Sequence, residues 1–140
     1  MIIQFNGTKN QRPITCTSIL LLSCLLGLEK DASVTSYFEP QMNLVILHEG
    51  KEHPIPVHIW ASHCSGSSSL IGLIDPETDQ LFERHPEIRA KVEEQARAIN
   101  ASYVPIRESD LSDRGGRSLL RRYTRLRNVR CTGLTGEFPT

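Results

Sequence analysis

A chain of 140 residues, 39% apolar and 23% charged, has the length and proportions of one compact soluble domain and is too short for two ordinary ones. Its net charge of zero at pH 7 hides a division: residues 114 to 130 hold seven Arg and no acid, while residues 1 to 113 hold nine Lys/Arg against fifteen Asp/Glu. Four scattered cysteines, Cys16, Cys24, Cys64 and Cys131, form no CxxC pair and accompany no secretory signal, so they read as reduced thiols of a cytoplasmic protein.

Residues 1 to 15 carry Gly7, Asn10 and Pro13 among polar residues and read as an N-terminal arm, with a short strand at Ile2 to Phe5. Thr17 or Ser18 caps a helix whose interior, ILLLSCLLGLE, is apolar on nearly every side, which predicts burial against more than one element. About thirteen helical residues reach roughly 20 Å at 1.5 Å per residue, short of a bilayer core, so this is a buried helix and not a membrane span. The run also lacks the basic leader and small-residue cleavage site of a signal peptide. Lys30, Asp31 and Ser33 end it.

Val34 to Phe38 and Asn43 to Leu47 read as strands, with the HEGKE stretch from His48 to Glu52 as a hairpin turn centred on Gly50. Ile55, Val57, Ile59 and Ala61 alternate with Pro56, His58 and Trp60, the period of a half-buried strand. Ser65 to Ser69 is a small-residue loop, and Leu70 to Ile74 is a continuous apolar run suited to a central strand covered on both faces. Pro86 opens an amphipathic helix with Ile88, Val92, Ala96 and Ile99 on one face. Ser102 to Ile106 gives another strand. Ser109, Asp110 and Ser112 then start a final helical stretch, in which Leu119, Tyr123 and Leu126 line one face and Arg117, Arg121 and Arg125 another. The order predicts a single α/β domain over residues 16 to 130, with a mixed central sheet flanked by helices, and a C-terminal tail from 131 to 140.

Several side-chain groupings carry a chemical reading beside a plain one. His48, His53, His58 and His63 recur every five residues and Cys64 follows, a donor set that zinc favours. Odd spacing alternates faces along a strand, however, and neither C-x2-C nor H-x3-H is present, so these read as surface histidines beside a turn; a hairpin can still bring His48 and His53 together. Cys64 with Ser65, Ser67, Ser68 and Ser69 lacks the G-x-S-x-G elbow of a nucleophile and reads as a flexible connection. Gly115-Gly116 marks a helix break, since it lacks the Lys and Ser/Thr of a phosphate-binding loop. Trp60 reads as core or anchor. The strongest positive signal is Arg114, Arg117, Arg121, Arg122, Arg125, Arg127 and Arg130, which suit either phosphate contacts or an acidic partner surface. The plain alternative is a solvated face paired with Glu93, Glu94 or Asp113.

From Ser18 to Asn128 the chain resembles the nuclease domain of TnsA, the endonuclease subunit of some heteromeric transposases. Ser18, Leu20, Glu29, Asp31, Val34, Tyr37 and Glu39 fit that family's opening pattern, with Pro40 and Gln41 in reversed order and Ala32 where Pro is usual. Ala96, then Tyr103 to Glu108, then L-L-R-R-Y fit its close. The resemblance implies a restriction-endonuclease-like fold, a metal centre, and as partners a transposase subunit and a regulatory ATPase. It fails at the catalytic positions. Leu21 stands for a Glu, Val57 follows Pro56 where Asp begins the catalytic strand, and Gly72 and Ile74 replace the acid and Lys of I-E-V-K. Nucleases of this class hold Mg²⁺ with oxygen ligands. None of these four side chains offers one. Asp75, just past the deviant strand, reads as a turn residue before Pro76 and not as a displaced ligand.

The sequence therefore predicts a catalytically inactive nuclease-like protein, without cofactor, metal or small-molecule substrate, that binds DNA or a DNA-bound protein complex in transposition or another mobile-element process. A small interaction or inhibitor protein, for example phage-borne, is the alternative; an active metal-dependent endonuclease ranks last. Leu21, Val57, Gly72 and Ile74 are expected to converge on one apolar centre.

Overall fold

The computed structural model describes residues 2–110. The expected final helix, all seven arginines of the basic segment, Cys131 and the tail lie outside them. A short antiparallel ribbon, β1 (Ile3–Phe5) and β2 (Ile14–Cys16), leads into helix α1 (Ile19–Lys30) and strand β3 (Val34–Phe38). The hairpin β4 (Met42–His48) and β5 (Lys51–Val57) follows, then β6 (Ile59–His63) and β7 (Ser68–Ile74). Helices α2 (Pro76–Arg84) and α3 (Pro86–Ala98) precede β8 (Ala101–Arg107). The main sheet runs β3-β6-β7-β8, with β6 antiparallel to both neighbours and β7 parallel to β8, so it is mixed.

This sheet separates two cores. Along β7 the side chains alternate: Ile71 and Leu73 join one cluster with α1, the ribbon and β3, whereas Leu70 and Ile74 join another with the hairpin, α2 and α3. Strand β6 divides in the same way, with Ile59 and Ala61 on the first side and Trp60 on the second. Alternation across a pleated strand makes the split unavoidable once both faces are covered. On β3, Val34 and Tyr37 are three residues apart yet share the first core, because the pairing with β6 slips between Val34 and Ser36 and a bulge absorbs the odd residue.

The local chemistry of each boundary is visible. Ser18 caps α1 by accepting the Leu21 N–H at 3.1 Å, and the helix buries Leu21, Leu22, Leu25, Leu26 and Leu28. Among the described residues no helix is long and apolar enough to cross a membrane. The hairpin closes through Glu49 and Gly50, both at positive φ, the two-residue turn that matches strand twist. Lys91 Nζ and Gln95 Nε2 of α3 donate to the Leu47 and Val45 carbonyls and fasten the hairpin to the helix.

Three expectations change. The arm over residues 1–15 is a docked ribbon, with Phe5, Ile14 and Cys16 in the first core. The single strand expected from Ile55 to Ala61 breaks at His58, since β5 pairs only with β4 while β6 enters the main sheet. Asp75 does not end in a simple turn. It caps α2, accepting the Thr78 N–H at 2.8 Å, with Pro76 in the first turn.

The ribbon is held by Glu29, near the end of α1. Its carboxylate accepts hydrogen bonds from the Thr8 N–H (2.9 Å), the Thr8 hydroxyl (2.7 Å), the Lys9 N–H (3.2 Å) and the Tyr37 hydroxyl. Gly7 leaves room for this arrangement, because a Cβ there would meet the Glu29 carboxylate and the Tyr37 hydroxyl and displace them. Burial pushes the Glu29 carboxyl up, but the hydrogen bonds together outweigh it and leave the group below the usual glutamate range. A carboxyl lowered by folding stabilises above its unfolded value and loses that contribution as pH falls through its native one. Glu29→Gln is therefore expected to cost about 1–2 kcal/mol at pH 7, given its partial exposure. Urea denaturation as a function of pH checks this: the gap from wild type should narrow below about pH 4.3.

Candidate functional site

The four positions that the resemblance singles out, Leu21, Val57, Gly72 and Ile74, do not all lie on one side of the sheet. Val57 and Ile74 are buried in the second core, and the Cβ direction of Gly72 leads to the Pro56 carbonyl and the Tyr103 hydroxyl on that same side. Leu21 belongs to the first core, across the sheet. Three of the four positions therefore lie on one side of the sheet, and Leu21 lies on the other. Parity is the cause: α1 covers the face toward which β7 turns Ile71 and Leu73, not Gly72 and Ile74.

A shift of one residue restores the facing but not the chemistry. Ile71 and Leu73 then oppose Leu21, and all three are apolar. The residue after Val57 is His58, which joins β5 to β6; its N–H donates to the Ile71 carbonyl at 2.8 Å and its Nδ1 accepts the Leu73 N–H at 2.9 Å. Burial lowers the His58 pKa, which favours the neutral ring that this acceptor role needs. In neither register does β7 present a carboxylate. On the other side, the place of a β7 side chain at position 72 is filled by Tyr103, whose hydroxyl donates to the Pro56 carbonyl at 2.9 Å. Burial raises that phenol to about 12, so it stays a donor.

The histidine series disperses. His63 bridges Ser33 Oγ (3.2 Å from Nδ1) and Ser69 Oγ (2.7 Å from Nε2), while Ser33 donates to Asp31 Oδ1 at 2.7 Å. This chain ties the start of β3 to the β6–β7 connection. The thiols of Cys16 and Cys24 are raised to about 12 by burial and are poor nucleophiles, and Cys64 is exposed. Trp60 packs beside the second core and stacks on Phe38 with ring centres 5.9 Å apart. A groove of about 560 Å³ between the ribbon and β3 is lined by Lys9, Arg12, Phe38, Glu39 and Gln41 among others.

His48 alone of the series enters a donor cluster, and its partners come from far along the chain. His85, at the break between α2 and α3, and Glu87, in the first turn of α3, lie beside it at the hairpin tip. Glu87 Oε1 is 3.2 Å from His48 Nε2 and 3.5 Å from His85 Nδ1. His53 stays at the margin, its ring centre 6.4 Å from that of His48. Spacing along the chain offers no access to this group, because packing of the hairpin on the helices creates it. The local signals are the turn after His48 and Pro86, which separates two helices at His85.

Gly72→Ala is expected to destabilise the fold by about 1–3 kcal/mol, because the added methyl meets a backbone carbonyl as well as Tyr103. A lower urea midpoint with an unchanged slope is the expected result. No family model, no curated protein and no solved structure matches this chain.

Proposed function

We propose that this protein is a non-catalytic, restriction-endonuclease-like domain of TnsA-like descent that binds DNA or a DNA-bound protein complex. The observation that carries the reading is β7 together with its surroundings. The helix, strand, hairpin, apolar strand, helix and strand that the resemblance requires occur in that order, as α1, β3, β4–β5 with β6, β7, α3 and β8. Of these, β3, β6, β7 and β8 build a mixed sheet with α1 on one side and α3 on the other, and β4–β5 forms a separate two-stranded sheet beside α3. The strand that should carry an acid and a Lys carries Ile71, Gly72, Leu73 and Ile74 instead, and no side chain there can hold Mg²⁺ or stabilise a phosphorane.

Binding is assigned to the arginine segment, Arg114 to Arg130, on sequence grounds. Seven cations without an intervening acid suit a phosphate backbone, and neutralising each phosphate releases counterions. The alternative, an interaction protein that blocks a nucleic-acid-handling complex, draws on the outer face of β4, where Val45 and Leu47 are exposed.

Fluorescence anisotropy on duplex DNA separates the two. Affinity should fall steeply with salt, and the combined Arg117→Ala, Arg121→Ala and Arg125→Ala variant should flatten the log–log salt slope by roughly 2.7, at about 0.9 for each phosphate no longer neutralised. Absence of DNA binding alongside tight binding to a protein complex would replace the first reading by the second.

A further inference from the structure

We propose that His48, His85 and Glu87 form a binding site for a divalent transition-metal ion of the zinc type, linking the tip of the β4–β5 hairpin to the α2–α3 junction. The inference is independent of the nuclease-like reading, and none of its residues belongs to the vacated centre. Among the described residues this is the one group in which three such donors meet, with ligand atoms all within 4.8 Å of one another.

The distances fit coordination. Zinc bonds of about 2.0–2.1 Å in a tetrahedral array place neighbouring ligand atoms about 3.3–3.4 Å apart. Glu87 Oε1 lies 3.2 Å from His48 Nε2 and 3.5 Å from His85 Nδ1, so two edges of that tetrahedron are already set. The remaining edge, between the two imidazoles, lies within 4.8 Å, and His85, which is 39% exposed and makes no cap hydrogen bond to α3, is the ligand free to adjust on binding. The imidazoles are tilted by 55° with centres 5.2 Å apart, so they are not stacked face to face.

His48 supplies an independent reason. Its side chain is only 11% exposed, and Nε2 is buried without a hydrogen-bond partner. The Glu87 oxygen is close enough, but it is misaligned for a hydrogen bond. A buried ring nitrogen in that position is costly unless something satisfies it. An ion held jointly with Glu87 does so, because coordinating atoms face the metal and not one another.

The donor set selects the ion. Two imidazoles and one carboxylate suit zinc and its transition-metal neighbours, whereas magnesium and calcium prefer oxygen alone. A fourth position is left for water or for Glu49, whose Oε1 lies 3.7 Å from His48 Nε2 at the turn. The ligands sit on fixed backbone: a two-residue turn follows His48, and Pro86 locks the chain after His85.

The test uses the full chain, stripped with EDTA and titrated with Zn²⁺ against a chromophoric chelator, and with Co²⁺ followed in the visible spectrum. One equivalent should bind, Co²⁺ should show four-coordinate bands without thiolate charge transfer, and Zn²⁺ should raise the melting temperature. His85→Asn and Glu87→Gln change residues 39% and 50% exposed, so both variants should keep the wild-type circular dichroism. Each should weaken Zn²⁺ binding at least about 100-fold, since even outer partners of a ligand are worth about 10–100-fold. No Zn²⁺ binding by wild type, binding that survives both substitutions, or a thiolate band would overturn the assignment.

Discussion

The structure depends on one strand that is covered on both faces. Because β7 turns alternate side chains to opposite sides, it supplies Ile71 and Leu73 to the core under α1 and Leu70 and Ile74 to the core under the hairpin and α3. The elements laid on either side then have fixed roles. The leucine-rich face of α1 and the ribbon residues Phe5 and Ile14 complete the first core, while Ile46, Ile55, Ile88 and Val92 complete the second. A one-residue slip of β7 would exchange these sets and turn Gly72 toward α1, so the register is held by both cores at once.

That parity also explains what is legible in the sequence. Val34 to Phe38 matches β3, Pro86 marks the start of α3, Ser18 marks α1 and Gly50 marks the hairpin turn, since each signal is local. The apolar run Leu70 to Ile74 identifies β7 as doubly covered, but a run apolar at every position carries no information about which residue faces which layer. The resemblance therefore groups Leu21 with Gly72 and Ile74 without any local signal to test it, although Leu21 lies across the sheet. Helix α2 escapes the pattern because Asp75-Pro76 reads equally as a turn and as a cap followed by a first-turn proline. The break at His58 is hidden because Ile55 to Ala61 keeps an unbroken alternation while changing sheets.

The donor cluster is hidden for a different reason. His48 and Glu87 lie far apart along the chain, and only the packing of α3 against the hairpin, fastened by Lys91 and Gln95, brings them together. The histidine spacing draws attention to four residues of which one belongs. The place that the resemblance marks is filled by Tyr103 and apolar side chains, whereas packing gathers the donor side chains at the outer end of the hairpin. The His48, His85 and Glu87 side chains there are carried by a two-residue turn and by the proline-locked start of α3.

Incubation of supercoiled plasmid with the highly purified full chain in Mg²⁺ or Mn²⁺, at concentrations that saturate duplex binding, tests most directly whether the nuclease-like centre is inert. The expected result is retention of the supercoiled form at every metal concentration, because neither face of β7 carries a carboxylate or amine ligand. Metal-dependent nicking or linearisation that follows the protein through purification would contradict it.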